Sequence, residues 1–182
     1  MKQFNNNELI GITGTIGAGK SFLAQSFSLL YPQYENRINV IEIDNIRRNL
    51  LWESLSALAL DLRLKLIKTF NISHYDKNLF FNRKDFTEYI FSHTDILQQF
   101  NQLCKPFFIQ EINQLRKEDK VNLLVWVNLI EENYLPLLDF IIFVDVTEKT
   151  WLQRNLNDLE SLQTRIKFQT NYNEKIKLLE TI

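Results

Sequence analysis

Gly11-Ile12-Thr13-Gly14-Thr15-Ile16-Gly17-Ala18-Gly19-Lys20-Ser21 decides how the rest of the chain is read. From Gly14 to Ser21 the spacing is G-x-x-x-x-G-K-S, that of a phosphate-binding loop. A loop that wraps a polyphosphate turns successive backbone N–H groups inward. That requires positive φ and close backbone approach, both of which glycine tolerates. Lys20 brings a point charge to the β- and γ-phosphates, and the Ser21 hydroxyl is a ligand for Mg²⁺. The flanks agree. Leu9-Ile10-Gly11-Ile12 is an apolar run that predicts a buried strand. Ser21 to Phe27 predicts a helix that starts near Lys20 and turns its positive end toward the same anion. All four glycines of the chain lie between residues 11 and 19, so backbone permissiveness is concentrated in this loop.

Composition bounds the rest. A chain of 182 residues with 45% hydrophobic and 13% aromatic content holds a packed core and is not disordered. The length suits one α/β domain with a helical excursion, or two small subdomains. A net charge of −1 gives no general electrostatic reason to expect nucleic acid as a partner. One cysteine, Cys104, excludes an internal disulfide and suits a reducing compartment. No apolar run reaches the roughly 20 residues a membrane helix needs. Met1 to Asn7 is polar, unlike a signal peptide, and a cytoplasmic location is expected.

Beyond the loop helix, Tyr31 to Arg37 is a polar connector. Ile38 to Ile43 predicts a strand rich in β-branched residues that ends at Asp44. Ligands of open α/β sheets sit beyond the carboxyl ends of the strands, so Asp44 is a candidate to face the phosphates; capping of a helix from Asn45 is its other reading. Alternation would put Glu42 on the same side as Asp44. Residues 45–70 lack Gly and Pro and repeat Leu at helical spacing, predicting one long helix or two. Asn71 to Arg83, with His74 and Asp76, predicts a loop. Helices are expected over Lys84 to Phe91 and Asp95 to Leu103, with Ser92 or Thr94 as caps. Pro106 is expected to interrupt or kink the helix that runs on to Lys117. Val121 to Ile130 and Phe140 to Val146 are apolar runs that predict parallel strands buried on both faces. Glu131 and Glu132 follow the first run. Asp145, in the second, reads as an acid at the nucleotide or as the cap of a helix starting near Thr147.

Taken in order, these motifs resemble the dephospho-CoA kinase family over about residues 8–170. The family's G-x-T-G-x-I-G-x-G-K-S loop is matched by Gly11 to Ser21. Its V-I-D-x-D-x-I-x-R element is matched by Val40-Ile41-Glu42-Ile43-Asp44-Asn45-Ile46-Arg47-Arg48. Its D/N-R-x-x-L element is echoed by Asn82-Arg83-Lys84-Asp85-Phe86. Its closing V-D-A-P, Q-L-x-R and R-I-x-x-Q elements are echoed by Val144-Asp145-Val146-Thr147, by Leu152-Gln153-Arg154 and by Arg165-Ile166-Lys167-Phe168-Gln169. The departures are Glu42 for Asp, Phe22 for Thr, Lys105-Pro106 for His-Pro and Asn128 to Glu132 for P-L-L-F-E. The stretch after Arg154 is shorter, and the family pattern runs on past Ile182, implying a C-terminally short member.

The resemblance implies a P-loop kinase fold: a parallel sheet flanked by helices, a helical substrate-binding excursion and a short lid. Residues 1–44 and 119–147 would form the sheet core, 45–118 the acceptor-binding part and 148–170 the lid. It implies phosphorylation of the ribose 3′-hydroxyl of dephospho-CoA with ATP and Mg²⁺. The loop Gly14, Thr15, Ile16, Gly17, Ala18, Gly19, Lys20, Ser21 and Phe22 would hold ATP, with Arg154 and Arg165 on the lid. Asp44 would act as base beside the metal, and Glu42, Arg83 and Lys105 would bind the acceptor. Partners would be these small molecules, without nucleic acid or membrane, in a monomer or weak homo-oligomer. Two alternatives stay open: another nucleoside or nucleotide kinase of this fold, and a degenerate homologue that binds nucleotide or CoA without turnover.

Overall fold

The computed structural model describes residues 5–30, 36–155 and 172–180. They belong to two compact units, one spanning Met1–Glu42 and Arg116–Ile182, the other Ile43–Leu115. In the first unit, strands β1 (Leu9–Gly14), β2 (Ile38–Glu42), β3 (Val121–Val125) and β4 (Phe140–Val144) form a parallel sheet in the order β2-β3-β1-β4. Helix α1 (Lys20–Leu30) crosses over from β1, and α6 (Glu148–Asn155) follows β4. A further helix covers Tyr172–Glu180.

Strand character follows position in this order. Every residue of the central β1 is buried, and four of the five in β3 are. β4 is half-buried throughout and β2 largely so, because among the described residues each lies at an edge of the sheet. The expectation that Phe140 to Val146 is buried on both faces is corrected accordingly. The core under the sheet joins Ile10, Ile12, Leu123 and Val125 to Ala24, with Leu23 and Phe27 of α1 packed against it. Each large apolar side chain so buried contributes about 1.5–3 kcal/mol. At the opposite end of the strands, buried Asn122 is fully occupied: its amide donates to Lys117 and Lys120 carbonyls and its Oδ1 accepts from Asn39 and from the Lys117 N–H.

The strands are shorter than their apolar runs. β3 stops at Val125, level with Ile12 and with Glu42, the last residue of β2, while β1 runs on to Gly14 beside β4. Trp126, Leu129 and Ile130 continue the apolar run as buried residues of a turn. β2 likewise ends at Glu42, and the chain enters helix α2 (Ile43–Trp52) at once.

The second unit holds α2, α3 (Ala57–Thr69), α4 (Arg83–Ile90) and α5 (Thr94–Leu115). The stretch read as one helix or two is two, because Ser56 caps α3 by accepting from the Ala59 N–H at 3.2 Å. Buried Arg63 binds the Leu50 and Ser54 carbonyls at 2.8 Å each, satisfying the C-terminal end of α2. Burial lowers its pKa below the ordinary arginine value, with Asp76 pulling the other way. Asn82, unforeseen as a cap, accepts from the N–H groups of Lys84 and Asp85 and starts α4. Helix α5 runs unbroken through Pro106, so of the two expected effects, an interruption or a kink, the interruption does not occur. Buried Phe100, Cys104, Phe107, Phe108 and Ile112 lie along it and hold it against the other helices despite the missing N–H. With no glycine available, turns use other residues in the left-handed region: Asn7, Asn71, Leu79 and Asn133 have φ between 52° and 68°. The expected loop before α4 is closed by Asp76 Oδ1, which accepts from Asn78 and Phe80 N–H groups, and by an antiparallel bridge from Tyr75 to Phe81. No helix among the described residues is long and apolar enough to cross a membrane.

Candidate active site

The carboxyl ends of the four strands lie on one edge of the sheet, where Gly14 pairs with Val144 and Glu42 with Val125. The phosphate-binding loop leaves β1 at this edge. Gly14 has φ 142°, and a Cβ there would strike the Val144 carbonyl of β4. Gly17 has φ 74°, and a Cβ would fall 2.7 Å from Asn155 Oδ1. The Ala18 N–H closes a turn onto the Thr15 carbonyl at 3.1 Å. Helix α1 starts at Lys20, as expected from the sequence. Lys20 Nζ lies back across the loop, donating to the carbonyls of Thr15 at 2.9 Å and Gly14 at 3.3 Å. Ser21 and Phe22 are exposed in the first turn of α1, Phe22 at 74%. The start of α1 thus carries an ammonium on Lys20 and a hydroxyl on Ser21 beside the glycine loop, residue types suited to a polyphosphate with its cation.

Helix α6 closes the outer side of the loop. Trp151 Nε1 donates to the Ile16 carbonyl at 2.7 Å, Asn155 Nδ2 to Gly17 at 3.3 Å and Arg154 Nη1 to Ala18 at 3.3 Å. Residues 151, 154 and 155 have the i, i+3, i+4 spacing of one helix face. Arg154 was expected near the nucleotide and lies beside the loop. Trp151 and Asn155 were not singled out, and this spacing of side-chain donors was the available signal. Arg165, the other expected lid cation, lies outside the described residues, as does Gln169. The cap of α6 is Thr147, whose Oγ1 accepts from the Thr150 N–H at 3.3 Å, so the capping role weighed for Asp145 is corrected. The helix starts one residue too late for Asp145 to reach its free amides.

The turn after β3 completes this edge. The Val127 carbonyl accepts from Thr13 Oγ1 at 3.1 Å and from Lys175 Nζ at 3.0 Å. Lys175, 1% exposed, meets Glu131 Oε1 at 2.8 Å without hydrogen-bond alignment. Glu131 Oε2 and Asn128 Oδ1 have no hydrogen-bond partner among the described residues. Trp126 packs edge-on against buried Tyr134.

In the second unit, Asp44 lies in the first turn of α2, mostly exposed and bonded to Arg47 at 2.8 Å. It neither ends a strand nor caps a helix from Asn45. The alternation that paired it with Glu42 does not hold, because the strand stops at Glu42 and the next residues are helical. Arg83 opens α4 with its guanidinium 5.0 Å from the Trp52 ring centroid. Lys105 is half-buried on α5 next to Cys104. Phe70, Phe81, Phe86 and Phe100 pack on one another as the core of this unit.

The dephospho-CoA kinase family profile matches residues 8–182. The chain belongs to the dephospho-CoA kinase family. It is 27% identical over 180 residues to a dephospho-CoA kinase of Vibrio vulnificus, covering 96% of this chain and 84% of that protein. A Colwellia psychrerythraea dephospho-CoA kinase is 30% identical over 161 residues, covering 87% and 74%. The fold is that of a Thermus thermophilus protein of known crystal structure, with TM-score 0.66, 21% identity and coverage of 95% and 85%. A dephospho-CoA kinase from Campylobacter jejuni shares it with TM-score 0.52, 22% identity and coverage of 93% and 84%. The expected P-loop kinase fold is borne out.

Proposed function

We propose that this chain transfers the γ-phosphoryl group of ATP to the ribose 3′-hydroxyl of dephospho-CoA, giving CoA. The family match over residues 8–182 carries this reading, and the glycine loop with Lys20 at the carboxyl edge of the sheet supports it. The enzyme is thus a kinase whose acceptor is a hydroxyl. Phosphoryl transfer is largely positioning and charge stabilisation, and the chain's residues supply both.

The loop from Gly14 to Phe22 cradles the phosphates, and Lys20 turns from the Thr15 carbonyl to the β- and γ-phosphate oxygens. Ser21 offers the hard oxygen that Mg²⁺ takes, exposed in the first turn of α1, and Asp44 is the second proposed ligand. When bound with ATP, Mg²⁺ neutralises phosphate charge. Asp44 accepts the proton of the attacking hydroxyl, with Arg47 holding its carboxylate in place. Arg154 and Arg165 add positive charge over the phosphates. Glu42, Arg83 and Lys105 bind the acceptor.

An acceptor screen tests this reading. With ATP and Mg²⁺ supplied, dephospho-CoA should be phosphorylated well ahead of nucleosides and nucleoside monophosphates. A preference for one of those acceptors would make the chain a different kinase of the same fold.

A further inference from the structure

The loop's outward carbonyls are held by a helix that the phosphate motif does not include. In a trans peptide the carbonyl and the following N–H point opposite ways, so anchoring one orients the other. Trp151 anchors the Ile16 carbonyl at 2.7 Å and thereby sets the Gly17 N–H. Asn155 anchors the Gly17 carbonyl at 3.3 Å and sets the Ala18 N–H, which closes the turn onto Thr15. Asn155 is itself fixed, since its Nδ2 also donates to the Trp151 carbonyl at 2.7 Å. Its amide occupies the space that a Cβ on Gly17 would need, so Gly17 admits this brace as well as the loop's bend. Glycines otherwise leave a loop many conformations, and ordering them on binding would cost affinity.

We propose that Trp151 and Asn155 are positioning residues for ATP, bracing the phosphate-binding loop from its outer side so that its amides are oriented before the nucleotide arrives. Neither touches the reacting atoms. Their effect falls on nucleotide affinity rather than on the acceptor. The proposal rests on the kinase reading only in naming ATP as the ligand.

The experiment compares Trp151→Phe, which keeps an aromatic ring and loses the donor, with Trp151→Gln, which keeps a donor and loses the ring. Asn155→Ala is the third variant. ATP affinity is measured by calorimetry without acceptor, beside KM for each substrate and the melting temperature. Loss of one neutral hydrogen bond predicts about three- to tenfold weaker ATP binding in Trp151→Phe and Asn155→Ala. KM for dephospho-CoA and the melting temperature should stay near wild type, and Trp151→Gln should recover most of the lost affinity. Wild-type affinity in Trp151→Phe would overturn the proposal. So would Trp151→Gln binding more weakly than Trp151→Phe, or affinity and melting temperature falling together, since packing would then be the cause. A wild type that binds ATP but leaves dephospho-CoA unphosphorylated would refute the kinase reading while the affinity comparison still decides the brace.

Discussion

Replacing Lys175 with methionine removes a cation that is 1% exposed and held on two sides. Its Nζ lies 2.8 Å from Glu131 Oε1 and 3.0 Å from the Val127 carbonyl. The carbonyl keeps its second donor, Thr13 Oγ1 at 3.1 Å, so its loss is small. The carboxylate fares worse: Glu131 is 15% exposed, and neither of its oxygens has a hydrogen-bond partner among the described residues. Breaking a buried pair from one side costs about 3–5 kcal/mol, because the remaining charge stays desolvated. At about 2–4 °C per kcal/mol for a chain of this size, melting should fall by roughly 6–20 °C. The assay is thermal unfolding followed by circular dichroism, with Lys175→Met/Glu131→Leu alongside. The double variant should regain most of the loss, since apolar replacement of both partners removes the stranded charge. A Lys175→Met protein melting within about 2 °C of wild type would refute the reasoning, because the pair would then not be desolvated in solution.

Three further outcomes are expected. Lys20→Ala should lower kcat/KM by about a hundred- to a thousandfold with little change in melting temperature, checked by coupled ADP release. Asp44→Asn should lower kcat by about a hundred- to ten-thousandfold with ATP affinity nearly kept, and Glu42→Gln should cost less; equal small losses would remove Asp44 from the chemistry. Burial pushes the Cys104 thiol pKa well above its ordinary value, so a thiol reagent should label the native protein only at the rate of opening and label the unfolded protein at once.

Much of the fold was legible in the residues. The loop, its strand and the helix start at Lys20 follow from one motif whose backbone demands only glycine meets, and Gly14 and Gly17 have the positive φ that this requires. Strand ends were not legible. Trp126, Leu129 and Ile130 are as apolar as the strand before them, and hydrophobicity records their burial while the pairing of β3 ends at Val125, level with the end of β2 at Glu42. Pro106 does not end its helix for a related reason, since a residue rule against helix interiors yields to the packing of Cys104, Phe107 and Phe108 around it. Asp44 reads as a strand-end carboxylate only if the strand runs through Ile43, and its pairing with Glu42 extends β-alternation across the β2–α2 boundary, where the period changes from two to 3.6. Trp151 and Asn155 share a helix face with Arg154, but the backbone carbonyls they bind are remote in sequence, so the donor spacing alone does not name their partners.

The most direct test is ATP turnover by the purified chain with Mg²⁺, with and without dephospho-CoA, reading CoA by mass. ADP release should depend on dephospho-CoA and match the CoA formed one for one. ATP that binds while no CoA appears would contradict the assignment of phosphoryl transfer to this chain.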